Sequence, residues 1–513
     1  MAERARVEMK KTLGLTGVTV NAMALIAPGA FLWITYQLQA AQTLPGSGDS
    51  TSLDILPGIL FALLLAFLTA LSYSELAHLY PDAGTGSAYY FAHRSFVDKA
   101  NKAHHRWARP ARLLTGWAAH LFYWVYSGVM VSMMAILVAF VLGQFGLDVG
   151  VVGEAFIALL FAALVGVIAV RGITGSTTTA LVINVIQLTT LVGFSAVAIA
   201  YRLLNPDGAT FAHTSAASVV LPHSFFGMLA QSTIAILILV GFESATAFGA
   251  EAKNARRDIP RAVILALVIQ GLFAYVIEYF AAGFAVSDKL TGTAADGSAL
   301  TGLSAAAASS APIGDLIRQI GDTMLGGLGF PIMIVVAVTV ALAILGTTLS
   351  SVNTGVRITF AMAQDQEMPG PLGFLHGRYA TPHMAVMIMT VFIAIIGVVG
   401  VLSVVTLTGI TLASNFGTFV LYALTCLFTF NAFIGRADFN VLKHAVIPLL
   451  GLVANVLMLV TIFAMGFAGG GDPQTESFIA LGIAALWAIA SSAYIFRNRK
   501  TRVVATTTER AAV

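Results

Sequence analysis

The chain has 513 residues, of which 58% are hydrophobic and 10% are charged, and its mean hydropathy is +0.88. Soluble domains carry about 25% charged residues, so the composition excludes an ordinary cytosolic enzyme, a disordered chain and a nucleic-acid binder. A single cysteine, Cys426, excludes a disulfide framework and a cysteine-ligated metal site. The composition therefore predicts an integral membrane protein that contacts lipid and has no nucleic-acid partner.

Long apolar segments follow one another along the whole chain. A helix needs about 20 mostly apolar residues to cross a bilayer, whereas barrel strands would give short alternating segments. The pattern thus predicts an all-α chain of about twelve transmembrane helices. The predicted spans, numbered in chain order, cover residues 12–41, 54–79, 113–145, 150–170, 176–201, 224–250, 261–287, 328–361, 383–402, 405–430, 443–467 and 476–496. The N-terminus lacks the features of a signal peptide, so we expect the first span to be retained.

The basic residues fall on alternate connections between the spans. Placing both termini in the cytoplasm puts 24 of the 27 lysines and arginines on the inner side and leaves Arg202, Lys289 and Arg318 outside. Inner loops of membrane proteins are enriched in these residues. The charge pattern therefore predicts a multi-pass protein of the cytoplasmic membrane with both termini inside. The outer segment 288–327 is predicted to be a loop with a short amphipathic helix, either an external lid or a segment without a role.

Two spans are interrupted near their middle. Span 1 contains Ala27-Pro28-Gly29-Ala30, and span 6 contains Gly241 followed by Glu243. Proline removes a backbone donor, and glycine allows conformations that other residues avoid. A proline kink alone is common, but breaks in the first helices of two five-helix sets indicate the substrate site of a secondary transporter. The amides free to bind an anion would be those of Gly29, Ala30 and Phe31.

Three stretches carry a resemblance to a known family. Span 2 and its exit read LSYSELAHLYPDAGTGSAYYFAHRSF, and span 6 and its exit read VGFESATAFGAEAKNARRDIPRAV. Span 8 and its exit read SSVNTGVRITFAMAQDQEMPGPLGFLHGRYATPHMAV. Together with the spacing of the spans, these motifs resemble the amino acid–polyamine–organocation superfamily of permeases over residues 12–467.

The resemblance implies a five-plus-five inverted-repeat fold with discontinuous helices 1 and 6, which alternates access around a site at mid-membrane. The core would cover residues 12–430, with repeats at 12–201 and 224–430, followed by two additional helices at 443–496. Residues 1–11 and 497–513 would be cytoplasmic tails. The implied activity is transport of an amino acid or related amine, without a cofactor and without enzymatic chemistry.

The resemblance also assigns roles to the two breaks. The amides of the first break would bind the substrate carboxylate, and the carbonyls of Leu239 and Val240 would bind its ammonium group. Gly241 and Phe242 would line the floor and gate. Two departures from the family pattern matter: Ala27-Pro28 precedes Gly29 where relatives have a glycine, and Gln187 stands where some relatives carry a lysine. A lysine-based proton switch is therefore not expected.

Polar groups inside the spans are the candidates for coupling. Glu243 is either a proton- or cation-linked switch or a helix cap, and Glu278 is either paired or coupled. Ser350 and Ser351, with Thr347 and Thr348, would either form a sodium site with span 1 carbonyls or pack helices. Tyr126 and Tyr123 are candidates for the pocket wall.

The function that follows is a secondary transporter of an amino acid, proton-coupled or of the exchange type. Its partners would be a small-molecule substrate and H⁺ or Na⁺. A polyamine or other organic-amine permease of the same fold is the alternative. An amino acid sensor without transport is less well supported, and the polar loops contain no nucleophile–base pair or phosphate-binding loop that would indicate an enzyme.

Overall fold

The computed structural model describes residues 11–26, 32–81, 86–98, 102–172, 177–208, 210, 216–249, 251–294, 296–379, 381–468 and 470–510. Nearly all of its regular structure is helical. The helices are α1 (Leu15–Ile26), α2 (Leu32–Ala41), α3 (Ile55–Leu79), α4 (Ala88–Val97), α5 (Ala108–Gly143), α6 (Gly150–Arg171), α7 (Thr177–Leu204), α8 (Ala216–Val220), α9 (Phe225–Leu239), α10 (Ala255–Ala266), α11 (Val276–Ala285), α12 (Gly302–Ala308), α13 (Pro312–Met324), α14 (Gly329–Gln364), α15 (His383–Gly400), α16 (Val404–Phe433), α17 (Ile447–Phe467) and α18 (Gly471–Arg510). Two strands, β1 (Thr291–Thr293) and β2 (Ala299–Thr301), form an antiparallel hairpin.

Eleven helices within the described ranges are long and apolar enough to cross a membrane. They correspond to predicted spans 2 to 12, and the chain is confirmed as an all-α membrane protein. Helices α1 and α2 flank residues 27–31, which lie outside the described residues. The twelfth span and the first break therefore stay predictions.

The sixth and seventh spans depart from regular α-helix. Helix α9 ends at Leu239 and is followed by a 3₁₀ helix, Phe242–Phe248. In the seventh span a π-helical segment, Leu267–Tyr275, lies between α10 and α11. Wide turns of this type often mark functional sites. The break in span 6 lies where the sequence predicts it, whereas nothing in the apolar sequence of span 7 indicates the π-helical segment.

The outer segment 288–327 folds over the first span. The hairpin leads into α12 and then into α13, which buries Ile313, Leu316, Ile317 and Ile320. This confirms the predicted amphipathic helix. A Cβ on Gly314 would lie 2.5 Å from the ring of Trp33 on α2, so only glycine lets the two helices approach so closely. The role of this segment as a lid stays a prediction.

Helix α5 lies at the centre of the bundle. Its middle section, from Ala118 to Ala135, is buried on all sides against α14, α15 and α16. By contrast, fewer than a third of the residues in the apolar stretches of α6, α7, α17 and α18 are buried. A helix that is apolar all round is either buried or faces lipid. The described helices thus form an inner group that surrounds the break in span 6 and an outer group that faces the bilayer.

Candidate functional site

The break in span 6 is built around Gly241. Val240 is extended, and Gly241 has φ +129°, a conformation that L-residues with a side chain rarely adopt. A Cβ at Gly241 would lie 2.9 Å from Leu25 Cβ and 3.0 Å from the amide nitrogen of Ile26. The glycine therefore lets span 6 touch the end of α1 directly.

The interruption leaves backbone carbonyls at the end of α9 without their helical donors. Within the described residues, no hydrogen bond reaches the carbonyl oxygen of Leu239 or Val240. Both residues are fully buried. Two buried carbonyl groups thus remain available at the place where spans 1 and 6 meet.

Glu243 connects the break to two other helices. Its carboxylate accepts hydrogen bonds from the Tyr123 hydroxyl on α5 at 2.9 Å and from the Tyr422 hydroxyl on α16 at 2.8 Å. The amide of Gly241 donates a third bond at 2.9 Å. Glu243 therefore holds spans 3, 6 and 10 together, and its role as a proton- or cation-linked switch or as a helix cap stays a prediction.

An aromatic group covers Glu243 on one side. The rings of Phe242 and Tyr422 lie 5.4 Å apart, and Tyr73 of α3 approaches them at 6.2 and 6.1 Å. All three side chains are fully buried. Phe242, predicted to form the gate, therefore packs against Tyr73 and Tyr422 next to the break.

Four carbonyls of α1 accept hydrogen bonds from side chains of other spans, and three of them belong to its last turn. The bonds run from Tyr126 to Leu25 at 3.1 Å, from Tyr275 to Ile26 at 2.9 Å, from Thr347 to Ala24 at 3.0 Å and from Asn184 to Val20 at 3.5 Å. Side chains that satisfy such carbonyls stabilise a helix end at membrane depth. Spans 3, 5, 7 and 8 thus all contact the inner half of span 1.

Two of these contacts were missed by the sequence analysis. Tyr275 lies in the π-helical segment and Asn184 in an apolar helix, where the sequence does not reveal which side chains face inward. Asn184 also accepts a bond from Gln270 at 2.7 Å. Gln187, the position compared with the family lysine, is buried, and its Oε1 has no partner in the part of the chain described.

Glu278 lies one turn beyond Tyr275 on α11. It is 1% exposed, and neither carboxylate oxygen has a hydrogen-bond partner among the described residues. The neighbouring Tyr279 packs against Tyr36 of α2, with ring centroids 5.9 Å apart. The structure therefore buries an acid without a hydrogen-bond partner, among the described residues, in the seventh span.

The span 8 hydroxyls point in different directions. Thr347 binds a span 1 carbonyl, as described above. The Ser351 hydroxyl instead contacts α5, where it accepts a bond from Ser127 at 2.8 Å and donates to the Tyr123 carbonyl at 3.2 Å. Ser350 is only partly buried. Neither serine side chain forms a hydrogen bond with span 1 within the described ranges. These ranges contain no group of three or more His, Cys, Asp or Glu side chains that could hold a metal.

The segment before α1 is attached to the segment after span 6. The amides of Thr12 and Leu13 donate to the Glu251 carbonyl at 3.0 Å, and the Lys253 amide donates to the Leu13 carbonyl at 2.8 Å. The Arg357 guanidinium on α14 forms an ion pair with the Glu251 carboxylate at 2.9 Å. Main-chain and charged contacts therefore join the segment before α1, the segment after span 6 and α14.

Comparisons with known proteins agree with this architecture. The chain is 25% identical to the branched-chain amino acid permease BcaP of Lactococcus lactis over 78% of this chain and 81% of that protein. It is 24% identical to the uncharacterized transporter Rv1999c of Mycobacterium tuberculosis over 93% of this chain and 92% of that protein. It is 26% identical to the low-affinity putrescine importer PlaP of Escherichia coli, but the match spans only 54% of each chain.

The family comparison covers most of the molecule. The amino acid permease family model matches residues 47–504, which include eleven helices long enough to span a membrane, among them the interrupted span 6. Its members are permeases, so the prediction that the chain is not an enzyme is confirmed. With its motifs, its helical architecture and this match in agreement, the chain belongs to the amino acid permease family, within the amino acid–polyamine–organocation superfamily.

Proposed function

We propose that the chain is a secondary transporter that moves an amino acid across the cytoplasmic membrane by alternating access. The interruption of span 6 at Val240 and Gly241, directly against the end of α1, carries this proposal. Broken helices at mid-membrane supply backbone groups that bind both ends of a zwitterion. Leu239 and Val240 would offer carbonyls to the ammonium group.

The carboxylate would bind at the first break. The backbone amides of that break, in the segment 27–31, lie outside the described residues. This half of the site is therefore inferred from the sequence alone. The five-plus-five inverted repeat over residues 12–430, the two additional helices and the cytoplasmic termini belong to the same proposal. The placement of 24 of the 27 basic residues on one side supports the orientation. The similarity to BcaP, a branched-chain amino acid permease, supports an amino acid substrate.

Two acids are assigned different parts in the cycle. Glu243 would hold the inner closed arrangement, because span 6 cannot move away from α5 and α16 without breaking its bonds to Tyr123 and Tyr422. Glu278 would take up the coupling proton, since a buried acid without a partner is costly as an anion. The engagement of Ser351 with α5 supports a proton or exchange mechanism over sodium coupling.

A polyamine or other organic amine is the second candidate substrate. Glu278 is the observation that favours it, because an unpaired buried carboxylate would suit a second ammonium group. The similarity to PlaP, a putrescine importer, supports this candidate, although the match covers about half of that importer. The two candidates differ in what Glu278 binds, a proton or the substrate itself.

Uptake by proteoliposomes separates these possibilities. Wild-type protein should accumulate a labelled amino acid when an inward proton gradient is imposed. Glu278→Gln should abolish this accumulation and preserve exchange of internal for external amino acid. If Glu278 binds an amine, putrescine should compete in the wild type and lose that competition in Glu278→Gln. Failure to move any amino acid or amine would overturn the proposal, and binding without movement would indicate a sensor.

A further inference from the structure

A groove lies on the lipid-facing side of the molecule, and no residue from Leu239 to Glu243 lines it. It has a volume of about 400 Å³ and runs between α5, α16 and α18. Its floor is closed where α16 packs on α5, since a Cβ at Gly417 would lie 2.8 Å from the Phe122 amide nitrogen. The rings of Trp117 and Trp487 form its middle, and Trp487 donates a hydrogen bond to the Trp117 carbonyl at 3.1 Å. None of the residues that line it carries a charge.

The length of the groove matches one leaflet of a bilayer. Along α5 the lining residues extend from Pro110 to Leu121, and along α18 from Ala484 to Ile495. At a rise of about 1.5 Å per residue, each stretch is roughly 16 Å long. The hydrocarbon of one leaflet is about 15 Å thick, half of the full core. The groove thus extends from one membrane surface to about mid-membrane.

The open end of the groove is basic and aromatic. Arg106 lies about one turn before Pro110, and Arg497 lies two residues after Ile495 on α18. Both arginine side chains are exposed. Neither forms an ion pair within the described residues, whereas nearby Arg109 is bound to Glu367. Trp107 is 53% exposed beside Arg106, and tryptophan is enriched at membrane interfaces. In the proposed orientation this end faces the cytoplasm, where the leaflet surface is anionic.

The size of the groove restricts what can occupy it. An α-helix is about 10 Å across, so a helical segment lying along the groove would leave part of its surface outside it. An acyl chain is narrow enough to enter between α5 and α18. We propose that the groove binds one chain of an anionic glycerophospholipid, with its head group between Arg106 and Arg497. The lipid would then contact α5 and α16, the two helices whose tyrosines hold Glu243.

Native mass spectrometry of the purified full-length protein tests this site. The probes are phosphatidylglycerol and phosphatidylcholine with identical acyl chains. Wild type should retain phosphatidylglycerol about five-fold or more in preference to phosphatidylcholine, as two surface arginines allow. Ala488→Trp, which fills the groove from an exposed position, should remove that adduct. The matched control is Val453→Trp on lipid-facing α17, which is 65% exposed and should leave the adduct unchanged.

A second variant separates head group from chain. In the double variant Arg106→Gln, Arg497→Gln the preference for phosphatidylglycerol should fall to about one, with phosphatidylcholine still bound. Melting temperatures measured in parallel should stay within a few degrees of wild type. Equal phosphatidylglycerol binding by wild type and Ala488→Trp would overturn the proposal. So would a dimer that dissociates in Ala488→Trp, because a second copy of the chain would then cover the groove.

Discussion

Replacing Gly241 by alanine tests the geometry of the break most directly. Alanine must adopt the φ of +129° observed for Gly241, which costs about 1–3 kcal/mol. Its Cβ would lie 2.9 Å from Leu25 Cβ and 3.0 Å from the Ile26 amide nitrogen, and such overpacking costs about 1–3 kcal/mol more. The total is about 2–6 kcal/mol. If the cost falls on the conformation that binds substrate, its population decreases about thirty-fold or more.

The assay compares initial rates of uptake into proteoliposomes that contain equal amounts of folded protein. Gly193→Ala is the matched control, because it lies in the helix α7 and a Cβ there would meet nothing within 4 Å. Alanine at that position should leave uptake unchanged and stabilise the helix by about 0.5–1 kcal/mol. Uptake by Gly241→Ala within two-fold of wild type, with an unchanged melting temperature, would refute the reasoning.

Three further predictions concern charged groups at different depths. Glu243→Ala should destabilise the protein by about 3 kcal/mol or more, because three buried donors lose their acceptor. Glu243→Gln retains an acceptor and should destabilise the protein less. Equal melting temperatures for the two variants would contradict this prediction. Arg357→Gln removes a partly exposed ion pair with Glu251, so counterflow rates should change by no more than about five-fold; complete loss of counterflow would indicate a role in binding. Burial raises the pKa of Asp315 on the outer helix α13 above its ordinary value of 3.8, against the opposing effect of a hydrogen bond from Ser309. The neutral acid is thus favoured in the folded state, so packing of α13 should weaken as the pH rises from 3.8 through the raised pKa of Asp315. Hydrogen exchange of α13 amides, corrected for its intrinsic pH dependence, should show this weakening in wild type and not in Asp315→Asn.

The sequence was sufficient for spans 2 to 12 and for the break in span 6. Backbone groups in lipid must be satisfied within the segment, so apolar length alone identifies a transmembrane helix. Gly241 followed by Glu243 is a local signal, and α9 does end two residues before that glycine. The amphipathic pattern of α13 is likewise local. These features depend on neighbouring residues, which is why they could be predicted.

The partners across the bundle could not be predicted. Tyr422 shares one face of α16 with Asn415, Thr418 and Thr425 at helical spacing, a polar pattern that the sequence reasoning did not use. Tyr275 lies in an apolar segment whose sequence does not show which side faces the site. The same is true of Asn184, which binds span 1, although the comparison with the family directed attention to Gln187. The hairpin β1–β2 and the π-helical segment depend on tertiary contacts. Sequence reasoning therefore located the broken helix and missed much of what surrounds it.

The pairing of residues 12–13 with 251–253 has a consequence for how such a transporter evolves. All three hydrogen bonds join main-chain atoms, so almost any side chain can replace those present without weakening them. At about 0.5–1.5 kcal/mol each, they contribute roughly 1.5–4.5 kcal/mol that must be overcome before this end opens. Main-chain contacts of this kind do not restrict which residue types occur at these positions. Comparison of sequences would overlook them, whereas the exchange rates of the Leu13 and Lys253 amides would report every opening.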